Sequence, residues 1–184
     1  MAKPERHERR IIIAALFVAL SVVLGYLFAA VPNVELMTLS VFLGGIFLGV
    51  RLGIVIGMLS ILIFSLFNPY GPPLPPLALA QVFGYGLIGL AGGVLGGRLS
   101  CGRKEAVIVS AAAGLILTLM YDFLTTCASA VIVLGLEGFI SGVPGFFAAG
   151  LLFVILHTVS NTVIFAVTVV PVVGVVSAWE RRRA

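Results

Sequence analysis

The sequence predicts an all-α integral membrane protein: a compact bundle of six transmembrane helices, forming one domain over residues 1–184 with both termini cytoplasmic. Composition is the first reason. Of the 184 residues 61% are hydrophobic and 10% charged, with a mean hydropathy of +1.24, outside the range of soluble domains. Charge placement is the second. The Lys and Arg residues fall in four groups: Lys3, Arg6, Arg9 and Arg10; Arg51; Arg98, Arg103 and Lys104; Arg181, Arg182 and Arg183. The turns between them, at 32–35, 68–76 and 135–143, carry no positive charge. Short loops rich in Lys and Arg stay in the cytoplasm, so this alternation sets both orientation and helix count.

The first helix is expected at about 11–31. Basic residues, an apolar run and Phe28-Ala29-Ala30 also suit a signal peptide. The run is longer than a signal h-region and matches a membrane helix, so it is read as retained. The second and third helices, about 36–50 and 52–67, are short, about 23 Å each at 1.5 Å per residue. One continuous helix through Arg51 would place the Arg98–Lys104 group and the Arg181–Arg183 tail outside, which the charge rule rejects. The remaining helices are expected at about 77–97, 106–134 and 144–178. The last two exceed a bilayer's thickness and would tilt or project beyond it.

Glycines recur every four residues at Gly45, Gly49, Gly53 and Gly57, and again at Gly89, Gly93 and Gly97. Small residues at that spacing let helix backbones approach closely in lipid, where no hydrophobic force drives helices together. The loop from Asn68 to Pro76 holds five of the nine prolines; fixed φ angles and missing donors make it stiff and extended, as a cap or a spacer.

Several chemistries are excluded. Gly84-Tyr-Gly-Leu-Ile-Gly89 has no strand before it, and the glycines of 97–102 lack the Lys-Ser/Thr pair of a phosphate loop, so neither motif binds nucleotide. No nucleophile elbow accompanies His157 and Ser160, and no metal-ligand spacing occurs, so the chain reads as a non-enzyme with no metal site. Cys101 and Cys127 fall in a loop and a membrane helix, a poor disulfide pair. The net charge of +4 sits at the cytoplasmic ends, where it suits an anionic leaflet rather than nucleic acid.

A polar layer crosses the helices at one depth. Counted from the cytoplasmic charge of each helix, Asn68 stands about 26 Å above Arg51, Gln81 about 26 Å above Arg98, Asp122 about 27 Å above Lys104 and Asn161 about 30 Å above Arg181. His157 stands about 36 Å above Arg181 by the same ruler. Asn33, Glu35, Tyr70 and Glu137 lie above the layer. Asp122 is the ionisable residue of an otherwise apolar run, and intramembrane charge marks function unless paired as helix glue, here by His157 or Tyr85. Tyr121 and Thr125 flank it; Thr125 also has its own backbone to bond. His157 and Asn161 share one helix face, as do Gln81 and Tyr85. These residues are candidate contacts to a polar solute, or hydrogen bonds between helices.

At this point the chain resembles the substrate-binding S components of energy-coupling factor (ECF) vitamin transporters over its whole length. Ala15-Leu-Phe-Val-Ala19 is similar to the Ala-x-x-x-Ala face with which that family docks on its transmembrane coupling subunit. The Pro32-Asn33-Val34-Glu35-Leu36 turn and the Asn68-Pro69-Tyr70-Gly71-Pro72 loop resemble the family too. The resemblance implies high-affinity binding of a vitamin or related micronutrient in the outer half of helices four to six, under the outer loops. It implies no cofactor in this chain: two cytoplasmic ATPase subunits hydrolyse ATP, and the S component topples in the bilayer to deliver its cargo. It places the protein in a prokaryotic cell membrane. One departure is that the single Trp, Trp179, lies near the inner end, so members that stack thiamine on outer tryptophans are poor guides. Two other readings use the same residues: an ion-coupled secondary transporter or channel in which Asp122 titrates, and a membrane scaffold.

Overall fold

The computed structural model describes residues 4–31, 33–68, 71–100 and 103–182. Over those residues the chain is helical: α1 Pro4–Phe28, α2 Leu36–Leu48, α3 Val50–Leu66, α4 Pro75–Leu95, a 3-10 turn at Arg98–Ser100, and α5 Arg103–Arg181. No strand occurs among the described residues. The helices at His7–Phe28, Pro75–Leu95 and Lys104–Trp179 are long and apolar enough to cross a membrane, while α2 and α3 are shorter apolar helices. Leu27, Leu79, Ile108, Leu152 and Val175 all stand more than half exposed, a cost in water but the expected surface in lipid.

The bounds differ from the expected ones in instructive ways. The first helix starts at Pro4, not near residue 11, because Pro suits a first helical turn and the polar run after it contains strong helix formers. It also ends at Phe28, where Ala29 and Val31 close tighter turns onto Tyr26 and Phe28. The fourth begins at Pro75, with proline in its first turn. The largest difference is at 135–143, expected as a turn between two helices. There two helices meet, residues on both sides are helical, and the break between them is one residue, Gly135, at φ 68 and ψ 173.

Gly49 has nearly the same backbone, φ 79 and ψ 175, and joins α2 directly to α3. That region is open essentially to glycine alone, because a Cβ would clash with the backbone. A single glycine thus turns one helix straight into the next at both places. Gly49 therefore forms the joint between two helices, and its backbone also lies in the close crossing its spacing suggested, against Gly93, where a methyl group would come within 2.8 Å of the Gly49 carbonyl carbon.

The two limbs of α5 on either side of Gly135 run antiparallel. Gly114 lies against Asn161 and Phe165, Thr118 bonds Asn161 and Asp122 bonds His157, so rising numbers on one limb meet falling numbers on the other. The other glycines share this close crossing. Gly45 and Gly53 both back onto the Gly89 carbonyl, Gly57 onto the Tyr85 carbonyl and Gly92 onto the Phe42 carbonyl, each leaving no room for a methyl group. Gly97, at the end of the second expected series, meets nothing within 4 Å. Around this crossing the core holds Phe42, Ile56, Ile88, Phe165 and Val169, all fully buried, and the Phe42 and Phe165 rings meet at 5.1 Å.

Candidate functional site

α2 sets the two ends of the bundle apart. At its C-terminus the Leu48 carbonyl accepts a bond from the Arg10 guanidinium, and Arg51 follows just beyond Gly49. Its N-cap is Glu35, 13 residues away and so about 20 Å distant. A cavity of about 390 Å³ opens at the Glu35 end, lined by Asn33, Val34, Glu35, Leu77, Gln81, Tyr121, Asp122, Thr125, Ser129, Phe153 and His157. The segment before α2, the first turns of α4 and both limbs of α5 build it.

His157 lies at the centre of its polar wall. Its Nδ1 is 2.9 Å from Asp122 Oδ1 and 3.1 Å from Oδ2, and its Nε2 is 3.1 Å from Glu35 Oε2. Asp122 and His157 are nearly fully buried, while the Glu35 side chain is 27% exposed. The Tyr85 hydroxyl donates to Glu35 Oε1 and lies 3.3 Å from Thr38 Oγ1. One imidazole therefore ties the segment before α2 to both limbs of α5, and Tyr85 adds α4 to the same cluster. When both ring nitrogens are protonated, each donates to one carboxylate.

Asn161, one turn beyond His157, donates from Nδ2 to Thr118 Oγ1 at 3.1 Å. The same Nδ2 lies 3.1 Å from His157 Nε2, but an Nε2 that donates to Glu35 has no lone pair left to accept it. Asn161 Oδ1 is buried with no hydrogen-bond partner.

Seven of the eleven residues expected to contact a solute line this one cavity: Asn33, Glu35, Gln81, Tyr121, Asp122, Thr125 and His157. Three others stand elsewhere. Asn161 sits behind His157, fully buried. Tyr85 is fully buried too, its ring edge-on to Tyr121 at 5.2 Å. Asn68 follows α3 away from the lining, where its carbonyl accepts from Gly71 N–H at 2.9 Å. Tyr70 lies outside the described residues. The Thr125 hydroxyl donates to the Tyr121 carbonyl at 2.9 Å, as helix threonines do, and Ser65 donates to Gln81 Oε1 at 3.0 Å, which fixes that amide. Ala15 and Ala19 lie one turn apart on the exposed side of α1.

Besides Val34, which lies between Asn33 and Glu35, sequence reasoning missed three lining residues on the helices, Leu77, Ser129 and Phe153. Each stands four residues from one it found: Leu77 from Gln81, Ser129 from Thr125 and Phe153 from His157. Such pairs share a helix face, so extending each candidate by one turn would have recovered all three. Among the described residues no group of three His, Cys, Asp or Glu side chains is arranged to hold a metal ion. What the cavity offers is charged hydrogen bonding at one wall and two aromatic side chains, Tyr121 and Phe153, on opposite limbs of α5.

A family model described as the substrate-specific component of ECF transporters matches residues 9–174. No curated protein and no solved structure matches the chain.

Proposed function

Because the chain belongs to the substrate-specific components of ECF transporters, we propose that it binds a vitamin or related micronutrient in the 390 Å³ cavity and hands it to a separate ATP-driven module. The observation that carries this reading is convergence. Polar residues from four stretches of chain, far apart in sequence, line one cavity at the end of the bundle remote from Arg10 and Arg51. A pre-formed, partly apolar cavity with a few fixed polar groups is how proteins hold small molecules. The six-span topology with both termini inside belongs to the same reading, with α2, α3 and each limb of α5 counted as one span. So does a prokaryotic plasma membrane as its home. The cavity would then face outward, beside the Asn33–Glu35 segment.

Coupling would run through α1. Ala15 and Ala19 offer a flat, exposed strip to the transmembrane subunit, and two ATPase subunits would supply the energy. The test is direct. Full-length protein purified from its native membrane should retain a small molecule detectable by mass spectrometry, and ATP-dependent uptake of that molecule should need the coupling and ATPase subunits. Flux through this chain alone, driven by voltage or a pH gradient, would instead support the ion-coupled reading, for which the Asp122–His157–Glu35 chain is the obvious path. Retention of no solute under any condition would leave a scaffold.

A further inference from the structure

The cavity's charged groups are lopsided, and the imbalance speaks to what fills it. Glu35 and Asp122 are both in the lining, and His157 is the one basic side chain there. Among the described residues no Lys or Arg belongs to the lining. The formal charge of the three side chains is −1 with the imidazole protonated and −2 with it neutral. An anionic solute would meet two carboxylates and one imidazole whose two nitrogens already bond them, at a depth where low dielectric strengthens the repulsion.

Hydrogen-bond capacity points the same way. A carboxylate offers about four acceptor sites. Glu35 spends one on Tyr85 and one on His157, and Asp122 shares a single imidazole N–H between its two oxygens. Acceptors are left over on both. Asn33 Oδ1, from a lining residue, is a further buried acceptor without a hydrogen-bond partner among the described residues. Buried acceptors left unpaired are costly, so the complement is a solute rich in N–H donors.

Shape adds the third element. Phe153 lies beside His157 with ring centroids 5.5 Å apart, and Tyr121 lines the same space from the other limb. Aromatic faces next to carboxylates suit a flat cation, through stacking and cation–π attraction together. The 390 Å³ volume lies toward the lower end of small-molecule sites, which run about 300–1,000 Å³, room for a body of one or two rings.

We propose that the solute is a small planar cation rich in N–H donors, an amine or amidine borne on one or two rings, held between the Glu35 and Asp122 carboxylates. The proposal rests on the cavity being the substrate site and adds the charge and hydrogen-bonding character of what it takes.

A matched trio tests it on the full-length protein in lipid nanodiscs: benzamidine, its neutral counterpart benzamide, and benzoate, each followed by calorimetric titration and by the thermal midpoint. Benzamidine should bind at least about tenfold more tightly than benzamide, and benzoate should not bind. The combined Glu35→Gln and Asp122→Asn variant should lose the preference for the cation while still folding, since both amides keep an acceptor for His157. Equal or tighter binding of benzamide or benzoate overturns the charge assignment while leaving the cavity a solute site. Binding of none of the three overturns the assignment and the cavity's role together. A preference for benzamidine that survives in the double variant would place the cation elsewhere and also overturn it.

Discussion

His157 Nδ1 sits 2.9 Å from Asp122 Oδ1, joining two positions that lie 35 residues apart on opposite limbs of α5. Both side chains are nearly fully buried, so the pair is structural and, at the cavity wall, available to a solute as well. The two roles need not exclude each other. They differ in which substitution should separate them.

Asp122→Asn keeps an oxygen for the His157 ring and removes the charge, whereas Asp122→Ala leaves the imidazole without that partner. Solute affinity should fall by at least about tenfold in both, equivalent to about 1.4 kcal/mol. Stability without ligand should fall clearly in the alanine variant, by about 3 kcal/mol for a broken buried pair, and less in the asparagine variant. Titration calorimetry beside the unliganded thermal midpoint measures both. Unchanged affinity in Asp122→Asn would make the carboxylate a helix tie only.

Asn161 should behave differently, since it stands behind His157 and not in the cavity lining. Asn161→Ala removes the bond to Thr118 and should lower stability by about 1–3 kcal/mol, with a smaller loss of affinity than Asp122→Asn. A larger affinity loss would mean that Asn161 reaches the solute in the bound state.

Much of the site was legible because its chemistry breaks a strong background. A carboxylate, a histidine and two amides stand out in helices that are otherwise apolar, and the 1.5 Å rise converts their positions to depth. Lateral position is different: it depends on which way each helix is turned, so Tyr85 and Asn161 were grouped with lining residues although both are buried behind them. The last two helices were found, but not how they join. A loop of nine residues was expected from the glycines and polar residues of 135–143. Backbone strain tolerated by glycine let one residue make the turn, and helix propensity kept the rest helical. The glycine ridge was visible as a period; only the structure separates Gly49, at positive φ, from Gly53 and Gly57, which meet backbone.

That separation gives a paired prediction. Gly57→Ala would drive a methyl group into the Tyr85 carbonyl, and overpacking of this kind costs about 1–3 kcal/mol. Gly150, in a helical limb with nothing within 4 Å, should accept Ala at no cost or with a gain of up to about 1 kcal/mol. The thermal midpoint in detergent should therefore fall for Gly57→Ala and hold or rise for Gly150→Ala. A neutral Gly57→Ala would mean that α3 and α4 are not so closely crossed.

Gly135→Ala separates backbone strain from crowding. No atom lies within 4 Å of the added methyl, yet φ 68 with ψ 173 remains a glycine conformation, and forcing Ala into it costs about 1–3 kcal/mol. The thermal midpoint should fall although the site is exposed. No change would show that the limbs of α5 join through another backbone conformation.

The strip on α1 distinguishes binding from coupling. Ala15 and Ala19 are exposed on one face and remote from the cavity lining, so replacing both with Trp should leave solute affinity and folded yield unchanged. Helix faces that meet through small residues lose their close approach when a bulky side chain intervenes. Uptake with the coupling and ATPase subunits should then fall to background, and the variant should no longer co-purify with the coupling subunit. Binding and uptake measured on one preparation decide the matter. Normal uptake in the double Trp variant would move the docking surface to another helix, while loss of solute binding would mean that α1 shapes the cavity itself.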